Sequence, residues 1–307
     1  MKHMVFSAPV ANSPTVAANV MLAAMAVIGV IDNVVPLLAE VVGLWQFYLM
    51  RTVLSIPLIY GLAAIGLGQV APRNWGAVAL RSFLVAVSMM FYFSALALMP
   101  YAEALAGLFT SPIFIVLISV LFLGMRIGKV RVLAVLLGFA GVLFVLQPNV
   151  MNFDWLILLP VAGGFFYALG AIATRSLCDG ESTVSMLFGM LIAQAVMGLV
   201  GLGMLELWPL PVAEGADGFV TRGWVWPVWE ITHWVLVQAV GSVLGVYLII
   251  KAYQLGEASF VAVFEYSVMI VGPAFAWIVF GQEIGLWQMF GIALIILAGA
   301  TIAVRSR

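Results

Sequence analysis

FYFSALALMPYAEA at residues 91–104 returns, altered but recognisable, as VYLIIKAYQLGEA at residues 246–258, and each copy sits in an apolar run long enough to cross a bilayer. A spanning helix needs about 20 apolar residues, because the hydrocarbon core is about 30 Å thick and an α-helix rises about 1.5 Å per residue. Working outward from the two copies, such segments are read near 16–36, 43–67, 75–99, 103–124, 130–147, 154–177, 183–205, 231–253, 258–280 and 286–304. The expected fold is an all-α polytopic membrane protein with ten transmembrane helices in two five-helix repeats, residues 1–148 and 149–307. An odd number of spans per repeat inserts the second copy upside down. Inverted repeats of this kind are the architecture of secondary transporters, whose solute site lies near mid-membrane between the halves.

Composition excludes most other classes. Of 307 residues, 65% are hydrophobic and 8% charged, far from the balance of a soluble domain. Loops are short except 206–230, where Pro209, Pro211 and Pro227 stand among Trp208, Trp224, Trp226 and Trp229; this mixture suits an interfacial belt or lid. Residues 1–14 have no apolar stretch of signal-peptide type. With the N-terminus inside, Lys2, Arg73, Arg126, Lys129, Arg131, Arg175, Lys251, Arg305 and Arg307 fall at the cytoplasmic face and only Arg222 outside. That bias predicts both termini in the cytoplasm and, for a bacterial chain, the inner membrane. Acids fall mainly outside, at Glu40, Glu103, Asp154, Glu206, Glu214, Asp217, Glu230 and Glu283. A net charge of −1 argues against nucleic acid. Cys178 is the single cysteine and can form no internal disulfide.

The informative residues are the polar ones inside spans, where a charge costs about 2.5–3.5 kcal/mol on insertion scales and needs a partner or a wet cavity. Arg51 lies about 12 Å inside the outer end of the second span by helical rise. Tyr48, Arg51 and Ser55 share one face, as expected of a cavity wall. In the third span Arg81, Ser88 and Tyr92 form another stripe, although the Arg81 stem could carry its charge to the surface. Tyr167 shares a stripe on the sixth span with Pro160, Gly163, Gly170 and Thr174. Glu265 lies about two turns inside the ninth span, with Tyr266 beside it on a different face. A buried carboxyl can exchange a proton near neutral pH, so solute binding or coupling stands against a helix-packing hydrogen bond. Asp32 and Asn33 lie in the outer third of the first span, where Asp32 could neutralise Arg51 in an ion pair. Gln194 reads as interhelical glue and Gly241 and Gly245 as a close-packing pair. Pro112 and Pro273 are expected to kink the fourth and ninth spans beside a cavity.

No catalytic constellation accompanies them. His3 and His233 are the two histidines, and no HExxH, GxSxG or phosphate-cradling glycine loop occurs. An enzyme is therefore not expected. Neither is a cofactor or a metal site.

The run ALALMPYAEALAGLFTSPIFIVLISVLFLG at 95–124, then RIGKVR and LLGFAGVLFVLQP, closely resembles the first repeat of the drug/metabolite transporter superfamily, in its EamA-type ten-helix branch. In the second half FFYALGAIATRSL, KAYQLGEASFVAVFEYSVMIVGPAFAWIVFGQE and GIALIILAGATIAV resemble the second repeat. GVIDN at 29–33 and WQFYLMR at 45–51 are similar to a subgroup with S-adenosylmethionine and riboflavin carriers. The chain departs from that pattern at LGMR, residues 123–126, where the family has LGE, and at Pro36, where the subgroup often has lysine. The resemblance implies a central cavity, alternating access and a small-molecule solute, and it favours a functional Glu265. The lipid bilayer is the other expected partner, and a homodimer is left open. The rival readings are a non-transporting membrane scaffold or chaperone and an intramembrane enzyme.

Overall fold

The computed structural model describes residues 13–99, 101–146, 155–280 and 285–305. Lys2, His3, Asp154, Glu283 and Arg307 lie outside the described residues, as do the side chains of Glu103, Pro273 and Arg305. The described residues form thirteen helices and short 3-10 turns, with no strand among them: α1 Pro14–Ile31, α2 Val35–Ala39, α3 Leu44–Ala64, α4 Trp75–Leu98, α5 Tyr101–Leu108, α6 Ser111–Leu121, α7 Lys129–Leu146, α8 Leu158–Ser176, α9 Thr183–Leu207, α10 Trp229–Leu255, α11 Ala258–Glu265, α12 Val268–Phe280 and α13 Leu286–Arg305. Six stretches are long and apolar enough to cross a membrane, namely Pro14–Ala39, Leu44–Ala64, Trp75–Leu96, Leu158–Ser176, Thr183–Leu207 and Trp229–Leu255, and shorter apolar helices accompany them.

Two segments expected to kink at Pro112 and Pro273 are broken, but a few residues earlier in each. α5 passes to α6 at Phe109–Thr110, and α11 passes to α12 at Tyr266–Ser267. The cause is the same in both. Thr110 Oγ1 donates to Gly107 O at 2.6 Å and Ser267 Oγ donates to Phe264 O at 2.7 Å, while the backbone N–H of each residue bonds to that same carbonyl. A hydroxyl bonded back onto the preceding turn competes with the α-helical ladder and tightens it. Pro112 follows the first break as the second residue of α6, a position that tolerates proline. Pro273 does not mark the second break. It lies within α12, six residues past Ser267.

α1 packs along α10, α4 along α8 and α3 along α9, while α7 and α13 pair with each other. Small residues allow the close approaches. A Cβ on Gly241 or Gly245 would collide with Ile31 or Ile28 of α1, and one on Gly291 of α13 would collide with the carbonyl of Gly141 on α7.

The long loop is seated on the end of the bundle rather than lying free. Arg222 donates to Ala39 O at 2.8 Å and Val42 O at 3.1 Å, satisfying carbonyls at and beyond the end of α2. Gln46 exchanges two 2.8 Å hydrogen bonds with the backbone of Val225, and Phe219 is fully buried beneath the loop. Trp208, Trp224, Trp226 and Trp229 remain exposed. At the opposite end, the Glu181 carboxylate accepts the backbone N–H groups of Arg73 and Asn74, joining the 65–74 and 177–182 turns. Arg131 forms an ion pair with Glu257. Burial pushes the Cys178 thiol in this region up to about 11, so its reactive thiolate appears only in alkaline solution.

Candidate functional site

The packed halves enclose a cavity of about 110 Å³. Its walls come from α1, α3, α4, α5, α6, α8, α9, α10 and α11, with Asp32 of the 3-10 turn after α1; among the described residues α7, α12 and α13 contribute nothing. The apolar lining mixes aliphatic side chains such as Ile28, Val85 and Leu108 with the flat or polarisable Met25, Met89, Phe93, Phe109 and Met190. Four charged residues, Asp32, Arg51, Arg81 and Glu265, border it.

Each of the four takes neutral hydrogen-bonding partners. Arg51, 4% exposed, donates from Nη2 to Gln194 Oε1 and from Nη1 to Ser242 Oγ at 3.5 Å. Ser242 in turn donates to Gln238 Oε1. The guanidinium carbon lies 5.2 Å from the Phe47 ring centroid, 5.8 Å from Tyr48 and 5.5 Å from Phe93, a cation–π enclosure of a kind that strengthens when desolvated. The Arg51–Asp32 ion pair considered from sequence does not form, since Arg131–Glu257 is the salt bridge found among the described residues. Asp32 instead accepts from Tyr92 Oη at 3.3 Å.

Glu265, the last residue of α11 and 2% exposed, accepts at Oε1 from both Tyr167 Oη and Tyr253 Oη at 2.7 Å. Its Oε2 has no partner. Arg81 closes the other side of the floor, donating from Nε to Thr174 Oγ1 at 3.0 Å and from Nη1 to Met186 O at 3.3 Å. Thr174 also borders a second cavity of about 290 Å³, which Arg73, Arg175, Lys251, Asp179 and Glu181 help to line. Arg81 therefore sits by the partition between the central cavity and this polar vestibule.

Of the solute-site and coupling candidates read from the sequence, Asp32, Arg51, Arg81, Tyr92, Tyr167 and Glu265 border this cavity. Three others do not. Ser88 is spent on a 2.8 Å bond to Gly163 O, joining α4 to α8. Tyr48 is packed against Arg51 and Phe47 with an unpaired hydroxyl. Tyr266 turns away from Glu265 toward Gly138 and Phe109. On α8 only Tyr167 and Thr174 of the proposed stripe reach the cavity; Gly163 and Gly170 serve the approach to α4, and Pro160 packs on Gly107. Sequence reasoning did not single out Tyr253, Gln238 or Ser242. These are neutral residues on the apolar helix α10, and their one legible signal was that hydrogen-bonding groups at 238, 242 and 253 share a face with the apolar Val246 and Ile249.

The EamA-like transporter family model matches this chain twice, over residues 16–147 and 154–304. A riboflavin transporter of Vibrio cholerae serotype O1 is 29% identical over 245 residues, 78% of this chain and 76% of that protein. A riboflavin transporter of Rhizobium johnstonii is 28% identical, covering 71% and 67%. An S-adenosylmethionine uptake transporter of Rickettsia bellii is 24% identical, covering 71% and 69%. One crystal structure shares the fold with a TM-score of 0.74 at 20% identity, covering 96% of this chain and 99% of the other.

Proposed function

We propose, from the premise that this chain belongs to the EamA-like transporter family and is a membrane transporter of small metabolites rather than an enzyme, that it carries riboflavin or a similarly flat heteroaromatic metabolite by alternating access. The observation that carries this reading is the central cavity. Its polar groups stand at separate places in an apolar lining of aliphatic, methionine and aromatic side chains, which suits a planar solute with polar edges better than a compact, fully hydrated ion. The relatives named as riboflavin transporters support the same choice.

Ten spans in two inverted repeats, 1–148 and 149–307, complete the reading. Helix packing supports it, because major contacts have mates in the other half: α1 on α10 answers α8 on α4, and α11 with α12 on α1 answers α5 with α6 on α8. The paired breaks at Thr110 and Ser267 follow the same exchange, and discontinuous helices at a midplane site are a transporter device. We place both termini in the cytoplasm of the inner membrane from the bias of basic residues. In a Cys178→Ser background, a cysteine at 129 should react with an impermeant thiol reagent only from the cytoplasm and one at 217 only from outside; reaction of both from one side sinks this topology.

Two features support the alternating-access reading. The seated loop 208–228 covers the outer end, and the vestibule leads from the inner end to the Arg81–Thr174 contact. The function itself is tested by counterflow: proteoliposomes preloaded with riboflavin should transiently accumulate labelled riboflavin from outside, several-fold above protein-free vesicles. Uptake equal to that of protein-free vesicles rejects riboflavin as the solute.

A further inference from the structure

Three polar atoms on residues that line the central cavity are left without a hydrogen-bond partner: Arg51 Nε, Gln194 Nε2 and Glu265 Oε2. An unpaired buried polar group costs about 1–3 kcal/mol, so three around one cavity point to partners that arrive with the solute. Their arrangement is informative. Gln194 Oε1 is taken by Arg51 Nη2, and because guanidinium can only donate, the amide must turn its oxygen to Arg51 and keep both N–H groups free. Thr52 Oγ1 donates to Leu191 O at 3.1 Å, tying α3 to α9 beside this pair. The wall therefore offers two neighbouring donors, Arg51 Nε and Gln194 Nε2. Glu265 Oε2 is an acceptor on another element.

The two poles lie at different depths. Arg51 is the eighth residue of α3 and Glu265 the eighth of α11; entering from opposite faces at about 1.5 Å per residue, they leave about 6 Å of a 30 Å core between them. We propose that Gln194 is the specificity-determining residue of the site, locked by Arg51 as a donor so that the pair selects a solute edge carrying two adjacent acceptors. This rests on the reading that the cavity carries a flavin. On an isoalloxazine the uncrowded edge of that kind is O4 with N5, since the N1–O2 edge is flanked by the ribityl chain; Gln194 Nε2 donates to N5 and Arg51 Nε to O4. N10 lies across the central ring from N5, so the ribityl chain then runs away from Gln194 and toward Glu265. One of its hydroxyls donates to Oε2.

The test is calorimetric titration of the purified full-length protein with riboflavin and with 5-deazariboflavin, in which N5 is replaced by C–H and one acceptor is lost. Wild type should prefer riboflavin by about tenfold or more, the size expected for one charge-assisted or locked hydrogen bond. Gln194→Glu keeps a partner for Arg51 but withdraws the donor, and Gln194→Met keeps the volume without one. In both the preference should fall below about threefold, with thermal midpoints showing that the proteins remain folded. If both variants bind more weakly yet discriminate as wild type does, Gln194 is structural and the inference is overturned. Equal binding of the two flavins by wild type overturns it as well. If wild type binds neither flavin, the flavin reading fails, and this inference fails with it.

Discussion

Arg51→Lys should lower riboflavin affinity by about 10- to 100-fold while membrane yield and thermal midpoint stay near wild type. Hydrogen bonds to a charged group contribute about 1.5–3 kcal/mol, and a lysine ammonium keeps the charge but not the planar fork that bonds Gln194 and Ser242 at once. Arg51→Gln should go further, because Gln194 Oε1 then loses its donor and the orientation of the amide is no longer set. Adding Asp32→Asn should restore nothing. The two charges are not hydrogen-bonded to each other, since Asp32 is held by Tyr92 and Arg51 by neutral groups and aromatic rings. Equilibrium binding and thermal unfolding of the three variants decide the matter. A double variant that regains both stability and transport would make Arg51 a structural ion-pair partner, as a buried charge relieved of its mate would require.

Glu265→Gln should have the second large effect. A glutamine carbonyl still accepts from Tyr167 and Tyr253, so the 2.7 Å contacts and the break after α11 can persist. What disappears is the group able to take and release a proton, together with the Oε2 acceptor, whose loss costs affinity without removing the cavity. Transport driven by a pH gradient should therefore fall by at least about tenfold if the carboxyl participates in the rate-limiting proton step, whereas exchange of labelled for unlabelled solute continues. Proteoliposomes with and without an imposed gradient separate the two activities. Unchanged gradient dependence in the variant would remove Glu265 from coupling and leave it a ligand for solute only.

The sequence carried the membrane class and the charged members of the site because both depend on energetic extremes. Arg51, Arg81, Asp32 and Glu265 are costly in lipid, so their place inside apolar runs calls for a cavity, an ion pair or an escape to the interface. The neutral members had no such mark. Gln194 read as glue between helices, and Gln238, Ser242 and Tyr253 read as nothing in particular, because a hydroxyl or amide on a spanning helix is as well explained by packing. Ser88 misled for the opposite reason: it shares the Arg81 stripe, yet its hydroxyl closes onto Gly163 O. The breaks in α5–α6 and α11–α12 were displaced onto prolines. Thr110 and Ser267, common residues whose back-bonding depends on tertiary packing, make the breaks instead, and Pro273 sits inside a helix.

Rival places for a flavin exist on this molecule, which makes its position the decisive observation. The charged inner vestibule near Arg175 and Lys251 is one, and the apolar outer groove between Trp45, Met204 and Trp208 is another. An electron cryo-microscopy or crystal structure with riboflavin bound should show the isoalloxazine in the central cavity, its O4–N5 edge on Arg51 and Gln194 and its ribityl chain toward Glu265. Flavin density in the vestibule or the outer groove, with the central cavity empty, would contradict the account.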